Sequence, residues 1–90
     1  MGTPENRVEQ HLRRRVELAG GLCLKFTSSR SGVPDRIVIL DGHVIFVELK
    51  APGGKTRPLQ DVRISELRAA GARVDVLSSR TEVDAFMAGF

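Results

Sequence analysis

Gly32-Val33-Pro34-Asp35-Arg36-Ile37-Val38-Ile39-Leu40-Asp41-Gly42-His43-Val44-Ile45-Phe46-Val47-Glu48-Leu49-Lys50-Ala51-Pro52 is the stretch that decides how this chain folds. Two apolar runs rich in β-branched residues, Arg36 to Leu40 and Val44 to Leu49, are separated by Asp41-Gly42. That dipeptide is a strong hairpin signal, because a two-residue type I′ turn needs positive φ at both central positions. In such a hairpin Leu40 pairs with His43 and, counting outward, Asp35 lies opposite Glu48. Opposed residues project from the same face, with Cβ atoms ~4.5–5.5 Å apart. Period-two alternation adds Lys50 to that face, beside Glu48.

Outward from the hairpin, Thr3-Pro4 reads as an N-cap followed by proline at the first helical position. Val8, Leu12, Val16 and Ala19 then recur at helical spacing until Gly20-Gly21. Leu22, Leu24 and Phe26 alternate with Cys23, Lys25 and Thr27, a strand pattern, and a polar loop, Ser28 to Gly32, follows. Beyond the hairpin, Pro52-Gly53-Gly54 ends the strand, and Thr56 is placed to cap a helix running to about Ala70. Arg73 to Leu77 forms a last strand, and Ser79 to Glu82 matches a capping box ahead of Val83, Phe86, Met87 and Phe90. The order is αβββαβα: an α/β fold with a mixed sheet flanked by helices, in one domain spanning residues 1–90. The third strand, the helix after it and the fourth strand make a right-handed crossover.

Bulk properties narrow the function. The hydrophobic content of 41% excludes a disordered chain, and the absence of Trp and Tyr argues against a surface of stacked aromatics for single strands. A net charge of +3 favours an anionic partner. Cys23, the one cysteine, excludes an intrachain disulfide and a cysteine-rich zinc site, and it fits a reducing compartment. No apolar run approaches the ~20 residues that span a bilayer, and no apolar stretch near the N-terminus reads as a signal peptide. The expectation is a soluble cytoplasmic protein with no membrane partner.

Two carboxylates and an ammonium at one end of a sheet need a reason. Acids that close repel one another and raise one pKa unless a positive charge intervenes. Oxygen ligands suit Mg²⁺ or Mn²⁺, and such an ion can polarise a phosphodiester and acidify its bound water. Asp35 and Glu48 are the candidate ligands, with the main-chain carbonyl of Leu49 as a further one. Lys50 is placed to orient the water or to stabilise charge developing on the phosphate. An ordinary surface salt bridge between Lys50 and the acids is the bland alternative. Against it, Glu48 ends an apolar run, where solvated charge is unusual. On the first helix Glu5 lies in line with Val8 and Leu12, either a first-turn acid favoured by the helix dipole or an acid aimed at the metal; Glu9 competes for that role. On the later helix Gln60, Ile64 and Leu67 share one face, so Gln60 either looks toward Glu48 or bonds the capping loop.

Gly32-Val33-Pro34-Asp35-Arg36, then Phe46-Val47-Glu48-Leu49-Lys50-Ala51-Pro52, then Gln60 on a following helix resemble the PD-(D/E)XK nuclease superfamily. Within it the chain closely resembles the virus-type replication-repair nuclease domain, VRR-NUC, over nearly its whole length, including Glu5, Gly20-Gly21, Lys25 and Gly71. The resemblance implies a restriction-endonuclease-like sheet and a Mg²⁺- or Mn²⁺-dependent endonuclease with Asp35, Glu48 and Lys50 as motif residues. It also implies Glu5 as the helix-one acid and Gln60 as the downstream polar residue. Stand-alone phage-type members resemble homodimeric Holliday-junction resolvases of bacterial or phage-infected cells, and a 90-residue chain looks like one of these.

Arg30, Arg36, Lys55 and Arg57 flank the candidate site and, with Lys25, are the candidate DNA contacts, whereas Arg13-Arg14-Arg15 fans across roughly 200° of helix and reads as a solvated face. Leu59 and Val62, or Met87 and Phe90, are candidate dimer contacts. Gly54-Lys55-Thr56 lacks the earlier glycine of a P-loop, where this chain has Leu49, so no nucleotide cofactor is expected. His11 and His43 read as an exposed helix residue and a turn residue, and Cys23 as a small buried side chain. The competing reading is a non-catalytic nucleic-acid-binding module of the same fold.

Overall fold

The computed structural model describes residues 2–90. In chain order they form α1 (Pro4–Leu18), β1 (Leu22–Lys25), β2 (Arg36–Leu40), β3 (His43–Leu49), α2 (Pro58–Ala69), β4 (Arg73–Leu77) and α3 (Arg80–Ala88), the αβββαβα order the patterning implies. Asp41 and Gly42 both take positive φ, 51° and 78°, so the hairpin turns as its dipeptide requires. Leu40 pairs with His43, Val38 with Ile45 and Arg36 with Val47, which is the expected register. The sheet runs β1-β2-β3-β4; β1, β2 and β3 are antiparallel neighbours, and β4 lies parallel to β3 after the α2 crossover.

The two faces of this sheet are covered unequally. Cys23, Val38, Leu40, Ile45, Val47, Leu49 and Leu77 pack with Val8, Leu12 and Val16 of α1 and with Val83, Phe86 and Met87 of α3. Each such side chain removed from water contributes ~1.5–3 kcal/mol, so this is the layer that holds the fold. The other face carries only α2, which packs against β4 and buries Ile64 there. Leu22, Ile39 and Val44 lie in one row across three strands on that face and stay exposed. The alternation in β1 is therefore inverted with respect to polarity: Cys23 looks into the core, and Leu22 and Leu24 look out.

The caps explain the helix starts. Thr3 accepts the Asn6 N–H at 3.1 Å ahead of Pro4, as expected. Ser79 accepts the Glu82 N–H at 3.0 Å, while the Glu82 carboxylate reaches back to the Ser78 N–H at 2.9 Å. The start of α2 differs from expectation. Arg57, not Thr56, is the N-cap, because Pro58 sets the first helical φ and the Gln60 side chain accepts the Arg57 N–H at 2.8 Å. Thr56 bonds Asp61 instead. Among the described residues no helix is long and apolar enough to cross a membrane.

The C-terminal apolar residues are core. Met87 is 8% exposed, and Phe90 packs edge-on against Phe86 and His43. His11 is half-buried rather than free, its ring 2.7 Å from Asp84 on α3, which also holds Arg15.

Candidate active site

The site gathers where β2 begins and β3 ends. The ladder stops at Arg36 and Val47, so Asp35 and Glu48 occupy the next register position, each on the same side of the ribbon as its partner. Asp35 is anchored through its main chain, whose carbonyl accepts the Phe26 N–H at 2.8 Å. The loop before it is pinned to α2. Gly32 takes a φ of 89°, and a Cβ there would meet Leu59 at 3.0 Å. The Arg63 Nε donates to the Ser31 carbonyl at 2.9 Å, and Arg63 also pairs with Glu66 at 3.0 Å. Nothing in the sequence points to Arg63, since an arginine on a helix carries no mark of the distant loop it will hold.

Glu48 is the centre of the arrangement. It is 2% exposed, the one charged residue among the buried residues described. Its Oε2 lies 3.4 Å from the Lys50 Nζ and accepts the Gln60 Nε2–H at 3.1 Å. Its Oε1 is buried with no hydrogen-bond partner. Burial pushes the Glu48 carboxyl up to about 7, helped by the negative charges of Asp35 and Glu5 and opposed by Lys50. Lys50 is fixed in turn by its backbone N–H, which donates to the Leu77 carbonyl at 3.0 Å at the end of β4. Gln60 serves both roles that its position allows: its oxygen caps α2 and its nitrogen meets the acid.

The two helix-one acids separate. Glu9 is 3.0 Å from Arg36, whereas Glu5 is exposed and its charge is felt at Glu48. Arg36 itself is only 13% exposed, so its guanidinium faces Glu9 rather than an external phosphate. The expectation of Arg36 as a DNA contact does not fit that placement well, because Glu9 on α1 holds the guanidinium and leaves little of it in solvent. Lys25, Arg30, Lys55 and Arg57 are exposed, with Arg30 3.6 Å from Glu66. Leu49 turns its side chain into the core, leaving only its main chain for the site.

A buried carboxylate oxygen without a donor costs on the order of 1–3 kcal/mol or more. A hard divalent cation beside it would satisfy it, and the oxygen-only donors Asp35 and Glu48 fit such an ion. Among the described residues no three acidic, His or Cys side chains form a ready cage. Mg²⁺ does not require one, since it keeps several waters and binds through one or two carboxylates.

An α/β sheet with β3 leading into Glu48-x-Lys50, opposite a second acid, is the arrangement the resemblance to nuclease domains implies. The VRR-NUC domain model matches residues 3–81, and the chain belongs to the VRR-NUC family. A phage protein, "Putative nuclease p44" of Acyrthosiphon pisum secondary endosymbiont phage 1, is 47% identical over 78 residues, covering 84% of each chain. A solved structure of a "VRR_NUC domain" superposes with a TM-score of 0.91 at 37% identity, covering 99% of both chains. A "VRR_NUC domain protein" with 18% identity and a TM-score of 0.73, covering 100% of this chain and 89% of that one, shares the fold.

Proposed function

We propose that this chain is a Mg²⁺- or Mn²⁺-dependent endonuclease that hydrolyses phosphodiester bonds in branched DNA, four-way junctions foremost. The observation that carries the reading is the Glu48 carboxylate, buried with Oε1 unpartnered while Lys50 and Gln60 hold Oε2. Asp35 and Glu48, with the Leu49 carbonyl, would hold the ion, which when bound supplies Lewis acidity to the phosphodiester. Lys50 keeps N–H donors beyond its Glu48 contact and offers them to charge developing on the phosphate. Gln60 fixes the rotamer of Glu48, and Glu5 adds negative charge from the α1 side. Lys25, Arg30, Lys55 and Arg57 hold the backbone without reading bases.

The test is cleavage of linear, flapped and four-way DNA with Mg²⁺ or Mn²⁺, run beside Asp35→Ala. Metal-dependent cutting that Asp35→Ala lowers by roughly 10³ while leaving DNA binding intact supports the reading. Binding without cutting under either metal would make the chain a binding module and end it.

A four-way junction calls for paired cuts related by a twofold axis, which a homodimer provides. The open sheet face supports such a pairing: Leu22 is 55%, Leu24 46% and Val44 57% exposed on one side of the sheet. Leu59 and Val62 on α2 are exposed beside it. Leu24→Glu is expected to leave the fold intact and to shift the protein from dimer to monomer in light scattering. It also converts paired junction cuts into single nicks. An unchanged mass would remove this face from the interface. The relation to a phage protein supports a place in a bacterial or phage-infected cell.

A further inference from the structure

A basic groove runs along the outer side of α1, away from the face where Lys55 and Arg57 begin α2. It encloses about 520 Å³ and is lined chiefly by Arg7, Gln10, His11, Arg14 and Arg80. Arg7 and Arg14 are two helical turns apart, so they stand in one row about 10 Å long, roughly three base-pair steps. Arg80 opens α3 alongside, where the helix N-terminus adds partial positive charge. All three arginines are exposed, and among the described residues none has an acidic partner within 4.0 Å. The acid at the far end, Glu17, is engaged by Arg13 at 3.5 Å.

The groove also has a direction. A second hollow of about 490 Å³ shares Arg7 and Arg80 with it and extends to Pro4 and Pro52. Pro4 adjoins Glu5, and Pro52 lies two residues past Lys50. The two hollows thus form one path that leads from the end of β3 along α1. Three exposed guanidinium groups along one groove, none of them paired with a carboxylate among the described residues while Glu17 is taken by Arg13, suit the phosphates of a nucleic-acid backbone.

We infer that Arg7, Arg14 and Arg80 form a phosphate-binding track for one duplex arm of the DNA, on the side of the site opposite Lys55 and Arg57. This rests on the nuclease reading and names where its substrate extends. By spacing alone the basic run Arg13-Arg14-Arg15 of α1 is a solvated face; the row that matters joins Arg7 and Arg14 with Arg80 from another helix, which helical spacing does not bring together.

The test measures binding of a 30-base-pair duplex by fluorescence anisotropy at several salt concentrations, in the Asp35→Ala background so that the DNA survives. Adding Arg7→Ala, Arg14→Ala and Arg80→Ala together is expected to weaken binding at least about tenfold and to flatten the slope of log affinity against log salt by roughly 2–3. The matching Arg→Lys triple variant retains the slope, which separates charge from any effect on the fold. An unchanged slope in the alanine variant overturns the track and leaves the nuclease reading standing. Failure of the Asp35→Ala protein itself to bind duplex likewise overturns the track, whereas the nuclease reading falls only if no DNA is cut under either metal.

Discussion

Glu48→Gln is expected to make the metal-free protein more stable at pH 8 while sharply lowering cleavage. Burial and the neighbouring acids raise the Glu48 carboxyl in the folded protein from 4.5 to about 7. Below about pH 4.5 the group is protonated whether the chain is folded or unfolded, and folding meets no penalty. As pH rises toward 7 the unfolded chain releases a proton that the folded one retains, so stability falls across that window and stays lower above it. A shift of this size is worth about 3 kcal/mol. Glutamine presents the same shape without the titration, so the variant loses the fall. Thermal melts in chelator should give Tm values close together at pH 4.5, with the variant ahead by about 10 °C or more at pH 8. Cleavage with Mg²⁺ should drop by roughly 10³. Parallel pH profiles for the two proteins would mean that Glu48 is not the strained group the geometry describes.

Lys50→Met should cost roughly 10²–10³ in cleavage rate with little change in DNA affinity. Methionine preserves the length and packing of a side chain that is mostly covered, so the fold is retained. Removing the ammonium takes away the charge 3.4 Å from Glu48 that opposes the upward push of burial, Asp35 and Glu5. The carboxyl then holds its proton to higher pH, and the residual activity should rise at a more alkaline pH than in the wild type. Lys50→Arg keeps the charge and should recover the pH profile with only part of the rate, since the planar fork replaces a point charge. A Lys50→Met protein that cuts at the wild-type rate removes the amine from the chemistry.

The parts of this molecule that could be read from sequence are those governed by a period or a turn. Asp41-Gly42 fixed the hairpin register, and the register alone set Asp35 opposite Glu48, with Lys50 two positions on. Thr3 and Ser79 announced their helices because capping is local. What sequence did not disclose depends on contacts between distant segments. Arg36 is turned toward Glu9 of α1, Arg63 reaches the Ser31 carbonyl, and His11 meets Asp84 of α3. The alternation in β1 gave a strand but not which of its sides faces in; only the docking of α1 and α3 decides that Leu22 and Leu24 stay outside. The open choice at Gln60 dissolved because one amide has two ends, and each found a partner.

That double engagement ties two events together. The Gln60 side chain closes the first turn of α2 through the Arg57 N–H and steadies the buried acid through Glu48 Oε2. Fraying of this helix end therefore also loosens the amide from Glu48 Oε2, which leaves Lys50 as the remaining partner of that oxygen. On the nuclease reading, the hold on the acid is thus coupled to a local folding equilibrium, and protection of a single amide proton against exchange with deuterium, at Arg57, reports on it.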